Sequence, residues 1–170
     1  MKLFSFVRLG IFCVLLLLVI SCSSDNKDDS GKRSSDEFVI ASVETLSFKS
    51  SNIPNGVTAS KIDSSVLTTY LVQGIDNAGN ALVLTIAKFD GVGTYNFNFD
   101  EDSNDASGLF SNQITSWSSS AETGGSGRIT VLTDTATETT GTFNFIGVQG
   151  DMVSSTRTIT NGSFRAKYNK

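Results

Sequence analysis

The chain has 170 residues, which is enough for about one domain with a proper hydrophobic core. It carries 13 Lys and Arg residues against 17 Asp and Glu residues. Lys2 and Arg8 lie in the N-terminal segment, so the remainder of the chain has 11 basic residues against 17 acidic ones. This acidic balance disfavours nucleic-acid binding. There is no His and no Cys after Cys22, which excludes disulfides, zinc sites built on those ligands, Ser-His-Asp triads and cysteine nucleophiles.

The first element of the chain is a segment typical of protein export. A short basic start is followed by the apolar run LGIFCVLLLLVI, from Leu9 to Ile20. These 12 residues are fewer than the ~20 that a helix needs to span a bilayer. We therefore interpret residues 1–21 as a signal peptide rather than a membrane-spanning anchor.

Cys22 follows this apolar run directly, in the sequence Val19-Ile20-Ser21-Cys22. The tetrapeptide resembles the lipobox of bacterial lipoproteins, which is cleaved between the third and fourth residues and acylated on the Cys. The alternative is an ordinary signal with an accidental Cys, and we favour the lipobox because Cys13, the other Cys, lies within the apolar run. The expected covalent group is a lipid on Cys22, and the expected partners are the lipoprotein processing and sorting machinery.

Residues 22–37 form the next predicted segment, a lipidated N-terminus followed by a disordered tether. From Ser23 to Glu37 there is no apolar residue, so nothing there can be buried. Within it, Lys27-Asp28-Asp29 resembles the lysine-plus-two-acids signal with which Bacteroidota send lipoproteins to the outer face of the outer membrane; a charged, solvated linker is the alternative. We expect acyl chains to hold the protein in the outer membrane, facing the cell exterior.

From residue 38 to 170 the sequence is typical of one all-β domain. Ser and Thr are frequent, periodic helical runs are absent, and several segments alternate apolar with polar residues, as a strand with one buried face does. The predicted strands are 37–50, 65–74, 81–89, 93–100, 126–134, 141–148 and 156–168, with weaker ones near 57–62 and 109–117. Turn-forming residues separate them at 54–56, 76–80 and 123–127.

This spacing predicts an antiparallel β-sandwich of about 8–10 strands, with an open or flattened β-barrel as the alternative. Six side chains on the apolar faces of three strongly patterned strands are expected in one core: Leu84, Ile86, Phe97, Phe99, Phe143 and Phe145. On the opposite faces, Asn96, Asn98 and Asn144 are expected to be exposed.

The dipeptide Asn161-Gly162 interrupts the last predicted strand. It is either a tight hairpin turn or a bulge within one long strand. Only a few residues, from Phe164 to Asn169, stand between it and the terminal Lys170, so a separate strand there would be short. We favour the bulge.

Two motifs in this domain resemble those of a known family. They are Gly141-Thr142-Phe143-Asn144-Phe145 and Asn161-Gly162-Ser163-Phe164, and segments such as NAGNALVLTI and GGSGRITVLTD occur around them in the same order. The resemblance is to small Bacteroidota lipoproteins known only as a domain of unknown function, and it covers nearly all of residues 38–170. It implies strands and turns, and no catalytic residues.

An acidic stretch, DEDSNDASG from Asp100 to Gly108, contains the first candidate site. Asp100, Asp102 and Asn104 follow the 1-3-5 spacing of a calcium loop, but position 6 is Asp105 instead of Gly and position 12 is Ser111 instead of Glu. The stretch therefore fails as an EF-hand. We favour a solvated hairpin loop over a looser calcium site.

Two further side chains are candidates for contact or modification. Trp117, the sole Trp, could stack on a sugar ring, although we favour a packing role at the end of the sandwich. Asp134-Thr135-Ala136 resembles the Asp-(Ser/Thr)-aliphatic acceptor for O-glycosylation in Bacteroidota, which makes Thr135 a candidate for modification; chance occurrence is the alternative.

Two function classes follow from these patterns. The first is a non-catalytic binding or accessory module at the cell surface, with a glycan or an envelope protein as partner. The second is a hydrolase such as a glycosidase, which needs only two carboxylates. We favour the first, since most Asp and Glu residues of the domain lie in turn contexts. No catalytic residue, metal site or cofactor other than the covalent lipid is expected.

Overall fold

The structure is a computed structural model that describes residues 36–97, 106–119, 124–150 and 152–168, the last range without the side chains of 152–154. The predicted signal peptide, the Ser21-Cys22 cleavage site, the Lys27-Asp28-Asp29 signal and most of the tether lie outside these residues. So do Asn98, Phe99 and the candidate calcium ligands Asp100, Asp102 and Asn104.

Every regular element in the described part of the chain is a β-strand, which confirms the all-β prediction. The strands are β1 (Phe38–Val43), β2 (Leu46–Lys49), β3 (Val57–Asp63), β4 (Thr68–Ile75), β5 (Ala81–Ile86), β6 (Gly93–Asn96), β7 (Ala106–Ser111), β8 (Ser116–Ser119), β9 (Ser126–Asp134), β10 (Glu138–Gln149) and β11 (Met152–Lys167).

All of these strands belong to one curled sheet, a half-barrel. Its order is β2-β1-β11-β10-β8-β7-β5-β4-β3, and each neighbouring pair is antiparallel. β10 also pairs with β9, and β9 pairs with β6. The sheet therefore branches at the long strand β10, which pairs with β11, β8 and β9. The curled sheet matches the open-barrel alternative better than it matches two separate packed sheets.

The sheet curls far enough for its β3 edge to meet the end of β11. A single parallel bridge joins Ala59 of β3 to Tyr168. On the same side, the amide of Ser51 donates to the carbonyl of Ile75 at 2.7 Å, and the amide of Ile75 donates to the carbonyl of Gly56 at 2.7 Å. The segment that follows β2 is thereby joined to the end of β4.

The core occupies the concave side. Of the six side chains predicted to be buried, the five that the structure describes are buried: Leu84, Ile86, Phe97, Phe143 and Phe145. Asn96 and Asn144, on the opposite face, are exposed as predicted. The period of two in the sequence therefore assigned the correct face to each of these strands.

The segment 37–50 differs from the single predicted strand, since it forms a hairpin of β1 and β2. Glu44, the first residue of the two-residue turn, adopts a positive φ of 54°, and its amide donates to the carbonyl of Thr158 at 2.8 Å. Glu rarely adopts this left-handed conformation. The turn contains neither Gly nor Asn, the residues that usually mark such a hairpin in a sequence, so the hairpin was not predicted.

Asn161 lies at a β-bulge within one continuous strand, as predicted. Asn144 of β10 stands opposite two residues, Thr160 and Asn161, and on the other side Ala41 of β1 stands opposite Asn161 and Gly162. Asn161 has a positive φ of 51°, a conformation that Asn tolerates better than most residues. The bulge therefore explains the Asn in this motif.

The two sequence motifs pair with each other through a reciprocal contact of Gly with Phe. In the antiparallel register Gly141 stands opposite Phe164, and Phe143 stands opposite Gly162. A Cβ on Gly141 would lie 2.4 Å from Cζ of Phe164, and a Cβ on Gly162 would lie 2.5 Å from Cδ2 of Phe143. Each glycine thus makes room for the ring of the other motif, which is why Gly-x-Phe occurs twice.

Candidate functional site

A mainly polar surface lies on the face opposite the core on β6, β9, β10, β11, β1 and β2. We call it the outer face. Its side chains alternate with those of the core along each strand, so their type is not dictated by packing.

One row of this face runs across all six strands. Cross-strand pairing places Asn96 opposite Arg128, Arg128 opposite Asn144, and Ser42 opposite both Thr160 and Ser47. Asn144 and Thr160 meet at the bulge. The amide–arginine row consists of Asn96, Arg128, Asn144, Thr160, Ser42 and Ser47. With strands about 4.8 Å apart, it is about 24 Å long.

A second row runs beside it and consists mainly of hydroxyl side chains. The threonine row consists of Thr94, Thr130, Thr142, Ser163, Ile40 and Lys49, in cross-strand order. The hydroxyls of Thr94 and Thr130 lie 3.1 Å apart and form a hydrogen bond. The two rows together present hydroxyl, amide and cationic groups at the spacing of the strands.

Two shallow depressions lie along these rows and meet at Asn161. One, of ≈ 570 Å³, is lined on β6, β9 and β10 by residues that include Asn96, Arg128 and Asn144. The other, of ≈ 520 Å³, lies over β1 and β2 and includes Lys49. Because the bulge places Asn161 between them, the outer face is a two-part trough rather than a flat surface.

Arg128 differs in charge pairing from the other arginines that the structure describes. Arg157 lies 3.3 Å from a carboxylate oxygen of Glu44, and Arg165 lies 3.1 Å from one of Glu138. Arg128 is exposed and has no carboxylate partner among the described residues. Within that part of the chain, the five N–H donors of its guanidinium are left to bind an anion.

Trp117 of β8 lines a third depression, of ≈ 340 Å³. The indole is only 4% exposed; it stacks on Phe110 at 5.8 Å, and the guanidinium of Arg157 covers it at 4.7 Å. Its Nε1–H donates to the hydroxyl of Ser155. These contacts are those of a packing residue, the role that we favoured, and they leave little of the indole for a sugar ring.

The carboxylates of the described residues are mostly engaged in the fold. Asp76 accepts from the amides of Ala78 and Asn80 in the β4–β5 turn, as expected of a turn-forming Asp. Asp63 accepts from the hydroxyl of Thr68, and Glu37 from the amide of Lys167. Glu44, Asp134 and Glu138 form ion pairs.

The most enclosed of these ion pairs closes the half-barrel where β3 meets β11. Lys61 of β3 contacts Asp134 of β9 at 2.7 Å, and the hydroxyl of Tyr168 donates to the same carboxylate at 2.6 Å. The Lys61 ammonium also lies over the ring of Tyr168, 4.6 Å from its centroid. Beneath them, the hydroxyl of Tyr70 bonds to that of Thr139 at 2.9 Å. This cluster joins four strands.

This closing cluster predicts a loss of stability at alkaline pH. Burial is the main cause that raises the pKa of Tyr70 and of Tyr168 above the ordinary tyrosine value, and the hydrogen bond to Asp134 adds to it at Tyr168. An unfolded tyrosine ionises near pH 10, so the contribution of both residues to stability is complete below about pH 10 and decreases as the pH rises above it.

Urea unfolding at about pH 8 and about pH 11 measures this effect, and the midpoint should fall between the two. Tyr70→Phe removes one of the two ionising hydroxyls, and Thr139 keeps its hydrogen bond to the carbonyl of Thr133. The variant should therefore lose less stability over the same pH interval. An equal fall in the parent and in Tyr70→Phe would contradict the assignment to Tyr70.

Thr135 is exposed in the turn between β9 and β10, which suits an acceptor for modification. Its hydroxyl donates to the carbonyl of Glu138 at 3.0 Å and accepts from the amides of Thr137 and Glu138. The hydroxyl therefore stabilises the turn, and its glycosylation stays a prediction.

Metal clusters and membrane-spanning helices are both absent from the described residues. These residues contain no group of three or more Cys, Asp or Glu arranged to hold a metal ion. None of them forms a helix with the length and hydropathy of a membrane span.

The outer face is the feature that sequence reasoning missed. Alternation placed Asn96 and Asn144 on the exposed side, but only the register shows that Arg128 stands between them. The sequence contained one signal of this surface, which was the polar type of these residues. Asn is less common at exposed strand positions than β-branched or charged side chains are.

No curated protein matches the chain significantly. No solved structure matches it significantly either. The family described as a domain of unknown function (DUF6252) matches residues 41–166, which include both Gly-x-Phe motifs. Because the match covers most of the chain, the protein belongs to the DUF6252 family.

Proposed function

We propose that the protein is a surface lipoprotein of the bacterial outer membrane, of the Bacteroidota type, and that its β domain is a non-catalytic binding module. Acyl chains on Cys22 hold it in the membrane, and the tether through residue 37 connects this anchor to the domain. The observation that carries the anchor is the sequence Val19-Ile20-Ser21-Cys22 at the end of a short apolar run.

The binding role is supported by the way the domain uses its charged groups. The carboxylates of Glu44, Asp134 and Glu138 are neutralised by basic partners, whereas a carboxylate hydrolase needs one acid and one base free to act. The outer face instead offers rows of hydrogen-bonding groups, in which Arg128 has no carboxylate partner within the described ranges. Such a surface suits recognition of a polar ligand.

Cys22→Ala tests the anchor, because acylation needs the thiol. The variant should remain unprocessed or become soluble, while the parent chain partitions with outer-membrane lipoproteins. Fractionation of cells followed by immunoblotting measures this. Full recovery of Cys22→Ala with the outer-membrane lipoproteins would contradict the lipobox.

A second variant separates surface display from lipidation. Replacing Lys27, Asp28 and Asp29 by Ala should leave the lipid in place and hold the protein on the periplasmic side, because the signal for transfer is lost. Protease treatment of intact cells should then digest the parent and spare the variant. Equal digestion of both would remove the role proposed for these three residues.

A further inference from the structure

We propose that the outer face binds a polysaccharide that carries uronic-acid carboxylates, with Arg128 as the residue that pairs with the carboxylate. This deepens the proposed function and rests on it, since it names the ligand class of the binding module. The ligand chain lies along the amide–arginine row, across β6, β9, β10, β11, β1 and β2.

The charge of the ligand follows from Arg128. An exposed guanidinium between two amides in register, Asn96 and Asn144, offers a planar fork of N–H donors flanked by further donors. This arrangement matches a carboxylate, which accepts two parallel N–H bonds from one arginine. Lys49, at the far end of the threonine row, adds a second cation along the same trough.

The hydroxyl-rich nature of the ligand follows from the neighbours of Arg128. Asn and Thr side chains both donate and accept hydrogen bonds, as sugar hydroxyls do. The amide–arginine row places a polar side chain on every one of the six strands, and the strand spacing is close to the length of one pyranose ring. A linear polymer of sugars can therefore meet one row position with each residue.

Other ligand classes fit the face less well. A protein partner would need aromatic anchors, but the exposed large hydrophobic residues on these strands are all aliphatic: Ile40, Leu46, Leu132 and Ile146, at 36%, 72%, 55% and 41% exposure. A neutral glycan is bound by stacking on exposed aromatic rings, and the exposed large hydrophobics among the described residues are all aliphatic.

Binding of polygalacturonate to the lipidated full-length protein in a neutral detergent tests the proposal. Calorimetric titration should give saturable binding that weakens with added NaCl, because exposed charge pairs are screened. Arg128→Gln should weaken it about tenfold, as expected for loss of one charge-assisted bidentate pair. Since Arg128 is exposed, its replacement should leave the thermal unfolding transition unchanged.

Lys167→Gln is the matched control. It also removes one positive charge from an exposed position of β11, but Lys167 lies beyond both rows, opposite Glu138. Its affinity for polygalacturonate should equal that of the parent. Equal losses of affinity for Lys167→Gln and Arg128→Gln would mean that the affinity depends only on the net charge of the protein, and would overturn the proposal.

Binding of neutral and sulfated polymers tests which class of ligand the outer face recognises. Dextran should not bind measurably, and dextran sulfate should bind more weakly than polygalacturonate. Equal binding of dextran, tighter binding of dextran sulfate, or no binding of polygalacturonate would each overturn the proposal. These outcomes leave the proposed membrane anchor and surface display unaffected, because fractionation and protease treatment test them separately.

Discussion

Replacing Phe145 by Ala should lower the free energy of unfolding by about 3–5 kcal/mol. The ring is 2% exposed and lies 6.0 Å from the ring of Phe97 and 6.4 Å from that of Phe143, at the centre of the aromatic part of the core. Because domains of this size are stable by only about 5–15 kcal/mol, the loss is a large fraction of the total. Urea denaturation followed by tryptophan fluorescence measures it.

Asn144→Thr is the control for this prediction, since Asn144 precedes Phe145 and faces solvent on the other side of the same strand. Thr is a good strand former, so the free energy of unfolding should change by only a few tenths of a kcal/mol. A small effect of Phe145→Ala, within the range of the Asn144→Thr control, would mean that the core is not packed as described.

Gly162→Ala should also be strongly destabilising, by about 1–3 kcal/mol, because it inserts a methyl group where no space exists. The new Cβ would lie 2.5 Å from Cδ2 and Cε2 of Phe143 and 2.6 Å from the carbonyl oxygen of the same residue. The same measurement of urea unfolding applies. The effect tests the reciprocal Gly and Phe contact that joins the two sequence motifs.

Gly93→Ala is the matched control, since a Cβ at this β6 position would meet atoms of Tyr95 no closer than 3.8 Å. It should be neutral or slightly stabilising. In the double variant Gly162→Ala with Phe143→Leu, the clash with the ring is removed and only the carbonyl contact remains, so the two costs should not add. Simple additivity of the two single changes would contradict the contact.

The sequence was sufficient to predict the all-β class, the buried faces and the bulge, because each depends on local chemistry. Phe143 and Phe145 alternate with polar residues, and an Asn before a Gly near the end of a strand favours a positive φ. The sheet order was not predictable in the same way. The pairing of β11 with β1, and of Tyr168 with β3, joins residues far apart in sequence.

Two other features could not be predicted from the sequence for the same reason: the hairpin of β1 and β2, and the candidate site. Glu44 gives no sequence signal for a turn, since its left-handed conformation is set by tertiary contacts such as its amide bond to Thr158. Arg128 becomes notable only when the register places it between Asn96 and Asn144 and when Arg157 and Arg165 are seen to be paired. The amino-acid composition shows neither the register around Arg128 nor the ion pairs of the other two arginines.

If the outer face is the binding surface of this domain, a bound ligand changes the surroundings of its backbone amides. Backbone amide chemical shifts of the isotopically labelled full-length protein, recorded with and without polygalacturonate, measure these changes residue by residue. We expect the largest changes at Arg128, Asn144 and Thr160, along the amide–arginine row. Largest changes at the depression around Trp117, or no changes at saturating polymer, would contradict this assignment of the binding surface.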